Sequence, residues 1–293
     1  MTVLVTAASG SVGNNCVTAL VSAGFDTIAT SRRPATLTVP PGVRTRTYDA
    51  DLETDFDELF DGVDDIVLIA PPLDGHIDEK LAPFVAAAAR RGIEHLVMVS
   101  GSYLSGMTGR TLDQLPVRRL EVLVTQSAVR HTIVRAGFLM DNYVTGFYSG
   151  MVAQGTITLA TANGKSALIA GTDLGAFVAE ALAQKLVGEY LVTGPESLDH
   201  HDVADLLTTA LGRRITYDPK TLEELKAMYE SRGLPPKTID YGLTLYKAFA
   251  DNTTAAVTDG FRQATGRDPM SFTEYLEHHA RWSTATPTGK TRP

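Results

Sequence analysis

The chain has 293 residues, of which 44% are hydrophobic, and a formal net charge of -8. This composition supports a continuous buried core, and the acidic balance argues against DNA, RNA or an anionic membrane as a partner. The single cysteine, Cys16, excludes an intramolecular disulfide, and because we expect neither a signal peptide nor a spanning helix, the expected compartment is the cytoplasm.

Short apolar runs alternate with helical patterns through the first half of the chain. The predicted strands cover residues 3–6, 27–31, 43–48, 66–70, 96–100 and 132–135. Between the first two, apolar residues recur at helical spacing from Val12 to Ala23, and Gly24 is placed to end that helix. This alternation is typical of parallel strands joined by crossover helices, so we predict an α/β, Rossmann-type doubly wound parallel sheet.

The second half of the chain is dominated by helical patterns. Residues 141–164, rich in Gly, Thr and Tyr, are predicted to form a loop region that leaves the sheet. Asp199 and Asp202 are spaced as a capping box that opens a helix ending at Gly212. Further helices are predicted at 222–229, 239–250 and 272–282. We therefore expect a small, mainly helical C-terminal cap.

These patterns predict the domain organisation. Residues 1–150 are expected to form the nucleotide-binding Rossmann domain, to which the chain returns at about 165–195. Residues 196–283 are expected to form the mainly helical substrate or cap region, and 284–293 a flexible tail.

The first predicted strand runs directly into a loop of small residues that opens the first helix. A dinucleotide site needs a tight turn, a residue without a side chain beside the pyrophosphate, and a small residue where helix packs on strand. Gly10 and Gly13 supply the last two, and Ala7 stands at the first glycine position. The alternative is a glycine-bearing turn without a ligand. The predicted pyrophosphate-binding residues are Ala7, Ser9, Gly10, Ser11, Val12 and Gly13.

The end of the second predicted strand lacks the acidic residue that would bind the ribose 2'-hydroxyl of NAD(H). Instead, Ser31, Arg32 and Arg33 put a hydroxyl and two guanidinium groups where a 2'-phosphate would lie. This pattern favours NADP(H) as the cofactor. Alternatively, the two arginines are solvated loop charges.

Several different short motifs are distributed over nearly the whole length of the chain. They lie at residues 6–13, 48–52, 59–64, 121, 132–142, 171–174, 190–195 and 264–269. Together they resemble the NmrA-like family of atypical short-chain dehydrogenase/reductases, whose members include triphenylmethane and quinone reductases, ketoreductases and regulators that bind the dinucleotide without turning it over. The resemblance implies the cofactor more definitely than the reaction.

The resemblance implies further cofactor contacts. Asp49 and Ala50 would lie beside the adenine, although an Asp just past a strand also commonly closes a turn. Ala70, Pro71 and Pro72 would line the nicotinamide ribose. Ser100, at the end of the fifth strand, is also predicted to bind the cofactor.

Typical short-chain dehydrogenases carry a Tyr-x-x-x-Lys pair on the helix after the fifth strand. Counting back from Glu121, this chain has Asp113 and Val117 at those positions, so the usual acid is missing. Hydride delivery itself requires no protein acid. The predicted catalytic residues are Ser102 and Tyr103, and the alternative is an ordinary turn at a strand end.

The segment after the sixth strand carries the predicted substrate pocket. Phe138, Asn142 and Tyr143 lie near the carboxyl ends of the strands and suit a flat, apolar substrate, although such aromatics equally suit an ordinary core. Arg135 is predicted to form a structural ion pair with Glu121.

Two adjacent histidine pairs and one cysteine complete the candidate groups. The pairs, at 200–201 and 278–279, are predicted on helix surfaces, and no metal site is expected because ligand spacing is absent. Cys16 is predicted to be a small core residue.

These features favour an NADPH-dependent reductase of a carbonyl, quinone or related conjugated organic substrate. One alternative is a non-catalytic NADP(H)-binding redox sensor, in which occupancy sets the affinity for a protein partner. Another is a ketoreductase or other tailoring enzyme of secondary metabolism that acts on a polycyclic aromatic intermediate. The expected partner is a small molecule, and the oligomeric state is left open, including a homo-oligomer.

Overall fold

The computed structural model describes residues 1–71, 73–107 and 110–279. Its strands, in chain order, are β1 (Thr2–Val5), β2 (Asp26–Ser31), β3 (Arg44–Thr47), β4 (Asp65–Ile69), β5 (His95–Gly101), β6 (Arg130–Ala136), β7 (Phe138–Leu139), β8 (Thr156–Leu159), β9 (Ser166–Ile169), β10 (Gly188–Val192), β11 (Ser197–Leu198) and β12 (Thr216–Pro219).

The helices connect these strands and dominate the C-terminal part. They are α1 (Ser11–Ser22), α2 (Phe56–Leu59), α3 (Ile77–Arg90), α4 (Tyr103–Gly106), α5 (Arg110–Gln114), α6 (Pro116–Gln126), α7 (Asp141–Val144), α8 (Ser149–Gln154), α9 (Gly171–Ala183), α10 (His200–Leu211), α11 (Leu222–Ser231), α12 (Pro236–Ala250), α13 (Gly260–Thr265) and α14 (Phe272–His278). A short 3-10 turn covers Pro34–Thr36. None of these helices is long and apolar enough to cross a membrane.

The central sheet has seven parallel strands in the order β3-β2-β1-β4-β5-β6-β10. Helices α1 and α9 cover one face, and α3 and α6 cover the other. Because the inner strands are buried on both faces, they appear in the sequence as continuous apolar runs. All six predicted strands are confirmed, including β3, which lies exposed at the end of the strand order. The predicted Rossmann-type fold with a helical C-terminal region is therefore confirmed.

The strand order reverses between β1 and β4, where the connections leave for opposite faces of the sheet. In open α/β sheets, this reversal opens a crevice at the carboxyl ends of the strands. The pairing register, with Val5 opposite Val67 and Ile69 opposite Val99, brings the ends of β1, β4 and β5 to this edge.

Local capping signals set the start of the C-terminal helices. The Asp199 carboxylate accepts hydrogen bonds from the amides of His201 and Asp202, and Gly212 ends α10 with a φ of 61°, so the predicted capping box is confirmed. The other predicted helices are observed as α11, α12 and the described part of α14. Trp282 and the predicted tail at 284–293 lie outside the described residues.

Two predictions for the C-terminal half are wrong. The predicted loop region at 141–164 contains the short helices α7 and α8 and the strand β8. The strand forms because its pairing with the distant β12 buries Ile157 and Leu159. His200 is buried in the core rather than on a helix surface. Its Nε2 and Nδ1 are hydrogen-bonded to Tyr143 and Thr161, which satisfies both ring nitrogens, and burial lowers its pKa to about 4.

Candidate active site

The loop between β1 and α1 makes a tight turn, as predicted. Ala7 has a φ of 50°, in the left-handed region that glycine adopts most easily, and its carbonyl accepts a hydrogen bond from the Gly10 amide at 3.0 Å. A Cβ at Gly13 would lie 2.4 Å from the Ala7 oxygen, whereas a Cβ at Gly10 would lie 3.4 Å from it. Gly13 is therefore required by the close contact of α1 with the loop that follows β1, while the space beside Gly10 is open to a ligand.

The first turn of α1 presents unsatisfied backbone donors. Gly10 is the N-cap and supplies no side-chain cap, and the amides of Ser11, Val12 and Gly13 have no acceptor among the described residues. Ser9 and Gly10 are exposed beside them. A helix N-terminus with free amides and a positive dipole end binds anions, so this loop suits a pyrophosphate.

The Ser11 hydroxyl is already engaged within the protein. It donates to Asp141 Oδ1 at 2.8 Å, and Asp141 lies 130 positions along the chain. Sequence reasoning missed Asp141, because its only local signal was its place beside Asn142 in the segment after the sixth strand. Ser11 therefore offers a ligand its backbone amide rather than its hydroxyl hydrogen.

The end of β2 places two free guanidinium groups beside this loop. Ser31 is buried, and its hydroxyl accepts a hydrogen bond from the Arg33 amide at 3.1 Å. Arg32 and Arg33 are exposed, and neither side chain has an ion-pair partner within the part of the chain that the structure describes. By contrast, Arg44 on β3 pairs with Asp26. The arginines at the end of β2 therefore suit an additional phosphate.

The residues implied near the adenine and the nicotinamide ribose follow β3 and β4. Asp49 Oδ1 accepts a hydrogen bond from the Asp51 amide at 3.1 Å, so this carboxylate closes a turn, and its adenine contact stays a prediction. Ala50 and Ala70 are half-buried and Pro71 is exposed, while Pro72 lies outside the described residues.

The end of β5 carries the predicted catalytic pair. Ser102 is buried, and its amide donates to the Ala136 carbonyl at 2.8 Å. The Tyr103 ring covers Gly101, since a Cβ there would lie 2.2 Å from Cε1 of the ring. Tyr103 and Tyr241 hydroxyl oxygens are 2.8 Å apart, and burial raises the pKa of both phenols. Tyr241 belongs to α12, and sequence reasoning missed it because 138 positions separate the two tyrosines.

The positions of the usual Tyr-x-x-x-Lys pair fall on different helices here. Asp113 is exposed in α5, which ends at Gln114, and Val117 is buried in α6, which begins at Pro116. Neither side chain is a phenol or an amine.

A buried ion pair lies between α6 and β6, as predicted. Arg135 Nε and Nη2 donate to the two oxygens of Glu121 at 3.0 and 2.8 Å, and Arg118 adds a third hydrogen bond at 2.7 Å. The Glu121 side chain is completely buried. Although burial opposes ionisation, the hydrogen bonds from Arg135 and Arg118 lower the pKa of this carboxyl. Arg135 is therefore a structural partner, as expected.

The predicted pocket residues differ in accessibility. Phe138 is half-buried, stacks on Tyr148 with a centroid distance of 5.9 Å and contacts Phe249 edge to face. Asn142 is half-buried, whereas Tyr143 is fully buried and its hydroxyl is 2.9 Å from Nε2 of His200. Packing thus occupies Tyr143, and substrate contact by these three residues stays a prediction.

Cys16 lies on the inner face of α1 and is fully buried, so the predicted core role is confirmed. Burial raises the pKa of its thiol to about 12, which excludes an easily formed thiolate. In residues 1–71, 73–107 and 110–279, no group of three or more His, Cys, Asp or Glu residues suits a metal ion.

Comparison with known proteins gives a matching family model and similar oxidoreductases. A family model described as NAD(P)H-binding matches residues 7–185. An uncharacterized oxidoreductase, YesF of Bacillus subtilis, is 26% identical over 97% of this chain and 96% of its own length. The NAD(P)H azoreductase of Xenophilus azovorans is 27% identical over 95% of this chain and 98% of its own length.

The fold is also that of a solved reductase. The NADPH-dependent quinone oxidoreductase of Escherichia coli, crystallised with NADPH, superimposes with a TM-score of 0.77 at 19% identity, covering 94% of this chain and 99% of that chain. The predicted relationship to nicotinamide-dependent oxidoreductases is confirmed by the family match.

Proposed function

Because the chain belongs to the NAD(P)H-binding family, we propose that it is an NADPH-dependent reductase of a carbonyl, quinone or related conjugated organic substrate. One observation carries the proposal: unsatisfied amides at the start of α1 and two unpaired arginines after β2 lie at the sheet edge that also carries Ser102 and Tyr103. The azoreductase and quinone oxidoreductase names of similar proteins support a conjugated substrate.

Each part of the cofactor has a suitable counterpart in the chain. The amides of Ser11 and Val12 would hold the pyrophosphate, and Arg32 and Arg33 would hold the 2'-phosphate that distinguishes NADPH from NADH. When bound, NADPH supplies a hydride to an electrophilic carbon of the substrate.

The chain's own contribution to reduction is orientation and a proton. Tyr103 carries a phenol at the edge where the substrate is expected, and a phenol is protonated at neutral pH. Burial raises its pKa further, so it is a weak acid. Its hydroxyl would donate a proton to the substrate oxygen or nitrogen, while Ser102 would orient the same atom by a hydrogen bond. With Asp113 and Val117 at the usual catalytic positions, no lysine there lowers the pKa of the phenol, which favours activated substrates.

We expect Tyr103→Phe and Ser102→Ala each to lower kcat by about tenfold, because each removes one polar contact to the reacting atom. Affinity for NADPH should not change. NADPH oxidation with quinones and aryl ketones measures the effect, since both need a proton as well as a hydride.

Tyr241→Phe is the matched control for Tyr103→Phe, since it removes the other hydroxyl of the same hydrogen bond. Its effect on kcat should be the smaller of the two. Full turnover by the Ser102→Ala, Tyr103→Phe double variant would contradict both roles.

We expect Arg32→Ala and Arg33→Ala each to reduce the preference for NADPH over NADH by about tenfold. A charge-assisted hydrogen bond contributes about 1.5–3 kcal/mol, and exposure to solvent reduces that contribution. Titration of both dinucleotides by fluorescence measures the preference. Arg44→Ala is the control, because Arg44 is also exposed but pairs with Asp26. An unchanged preference in both test variants would assign these arginines to the solvated surface.

The substrate panel also separates the alternatives. Tight NADPH binding without turnover of any compound would favour a redox sensor, whose partner a pull-down with and without cofactor would identify. Turnover confined to polycyclic ketones would favour a tailoring ketoreductase.

We place the enzyme in the cytoplasm, with which its single, buried cysteine is consistent.

A further inference from the structure

The carboxylate of Asp141 joins three separate segments of the fold. Asp141 begins α7, directly after the strand β7, and is 7% exposed. Its Oδ1 accepts hydrogen bonds from the Ser11 hydroxyl at 2.8 Å and from the Asn15 amide nitrogen Nδ2 at 3.2 Å. Its Oδ2 accepts a hydrogen bond from the Gly171 backbone amide at 2.7 Å. One side chain therefore connects α1, α7 and α9.

This carboxylate lies at the positive ends of two helices whose own N-cap residues supply no side-chain cap. These N-cap residues are Gly10 for α1 and Ala170 for α9. A negative charge is stabilised at a helix N-terminus by the dipole and by hydrogen bonds from first-turn groups. Asp141 thus supplies the missing cap of α9 through the Gly171 amide. At α1 it binds only the side chains of Ser11 and Asn15, so among the described residues the first backbone amides of α1 stay without an acceptor.

The packing around this carboxylate is too close for larger residues. A Cβ at Gly171 would lie 2.6 Å from Asp141 Oδ1 and 2.3 Å from Asn15 Nδ2. One turn later, a Cβ at Gly175 would lie 2.6 Å from the Asn15 carbonyl oxygen. The starts of α1 and α9 therefore pack backbone to backbone, with Asp141 bonded to both.

We propose that Asp141 is a positioning residue for the cofactor: it holds the first turn of α1 so that the amides of the pyrophosphate loop keep a fixed direction. The loop needs such support, because Ser9 and Gly10 are exposed and Ala7 adopts a left-handed conformation. Asp141 precedes Asn142, so the same contact ties the cofactor loop to the segment that carries the predicted substrate pocket. The inference rests on dinucleotide binding at this loop.

Removal of the carboxylate has two opposing effects on cofactor affinity. It loses the hydrogen bonds that order the loop, and it removes an anion from the neighbourhood of a bound pyrophosphate. The dipoles of α1 and α9 and the donors on both oxygens already offset the charge of the carboxylate, so we expect the loss of order to dominate.

The test measures NADPH affinity in Asp141→Asn beside a matched substitution, Asp173→Asn. Asp173 is also a buried aspartate near the start of α9, but its carboxylate accepts from the Met270 amide at 2.7 Å and pairs with Arg267. Both substitutions should lower the midpoint of thermal unfolding. Only Asp141→Asn should weaken NADPH binding, by about tenfold in a fluorescence titration.

Ser11→Ala extends the test without changing the buried carboxylate. It should weaken NADPH binding by about threefold, and the Ser11→Ala, Asp141→Asn double variant should bind no more weakly than Asp141→Asn alone. If Asp141→Asn does not fold, Ser11→Ala decides the question, because unchanged NADPH affinity in that variant overturns the proposal.

Three other results also overturn the proposal. A folded Asp141→Asn variant could bind NADPH as tightly as the wild type or more tightly, or Asp173→Asn could weaken NADPH binding as much as Asp141→Asn does. Failure of the unmodified protein to bind NADPH would overturn the cofactor assignment itself and the role of Asp141 with it. That result is distinct, since it does not depend on any variant.

Discussion

Replacement of Gly13 by alanine is expected to lower the free energy of unfolding by about 3 kcal/mol and to weaken NADPH binding by about a hundredfold. The added Cβ would lie 2.4 Å from the Ala7 oxygen and 2.8 Å from Ala8 Cα. Both atoms belong to the backbone, so no side chain can rotate away, and the first turn of α1 has to move away from the loop that follows β1. Urea unfolding and fluorescence titration measure the two effects.

Gly10→Ala is the matched control, because the same methyl group enters the other glycine of the loop. Gly10 has a φ of -86° and a ψ of 164°, which alanine adopts readily, and its Cβ would only touch the Ala7 oxygen at 3.4 Å. Its stability should change by less than about 0.5 kcal/mol, while NADPH affinity falls because the methyl group occupies space beside the pyrophosphate. Wild-type stability in Gly13→Ala would contradict the packing argument.

Replacement of Glu121 by glutamine is expected to lower the free energy of unfolding by about 3 kcal/mol at neutral pH, because Arg135 and Arg118 lose the fully buried carboxylate that accepts their hydrogen bonds. Only the more exposed Glu189 then remains as an anionic partner of Arg135. Hydrogen bonds lower the pKa of Glu121 in the folded state, despite the opposing effect of burial. The wild-type carboxylate therefore stabilises the fold above its unfolded-state pKa of about 4.3, and this contribution is lost as pH falls through the folded-state pKa.

The stability difference between Glu121→Gln and the wild type should accordingly be largest near neutral pH and shrink in acid. Urea unfolding of both proteins across the acid range measures this convergence. Asp251→Asn is the control: its pair with Lys247 is exposed, and its loss should cost less than about 0.5 kcal/mol. A difference that stays constant with pH would show that shape, rather than charge, makes Glu121 important.

Local sequence signals were sufficient for the central sheet and for the tight turn between β1 and α1. Strands buried on both faces appear as continuous apolar runs wherever they pair, so inner strands such as β1, β4 and β5 were predicted without knowledge of their neighbours. Gly13 and the Asp199 capping box were also predictable from local sequence, because the groups they contact lie within a few residues of them along the chain.

Contacts between distant segments were decided only by the tertiary structure. The partner of Tyr103 lies 138 positions away in α12, and the partner of Ser11 lies 130 positions away in α7. His200 looked like a surface residue beside His201, yet Tyr143 and Thr161 satisfy both of its ring nitrogens in the core. The hydrophobic periodicity of one segment indicates which of its faces is apolar. Which polar groups from other segments contact that face depends on how the whole chain packs.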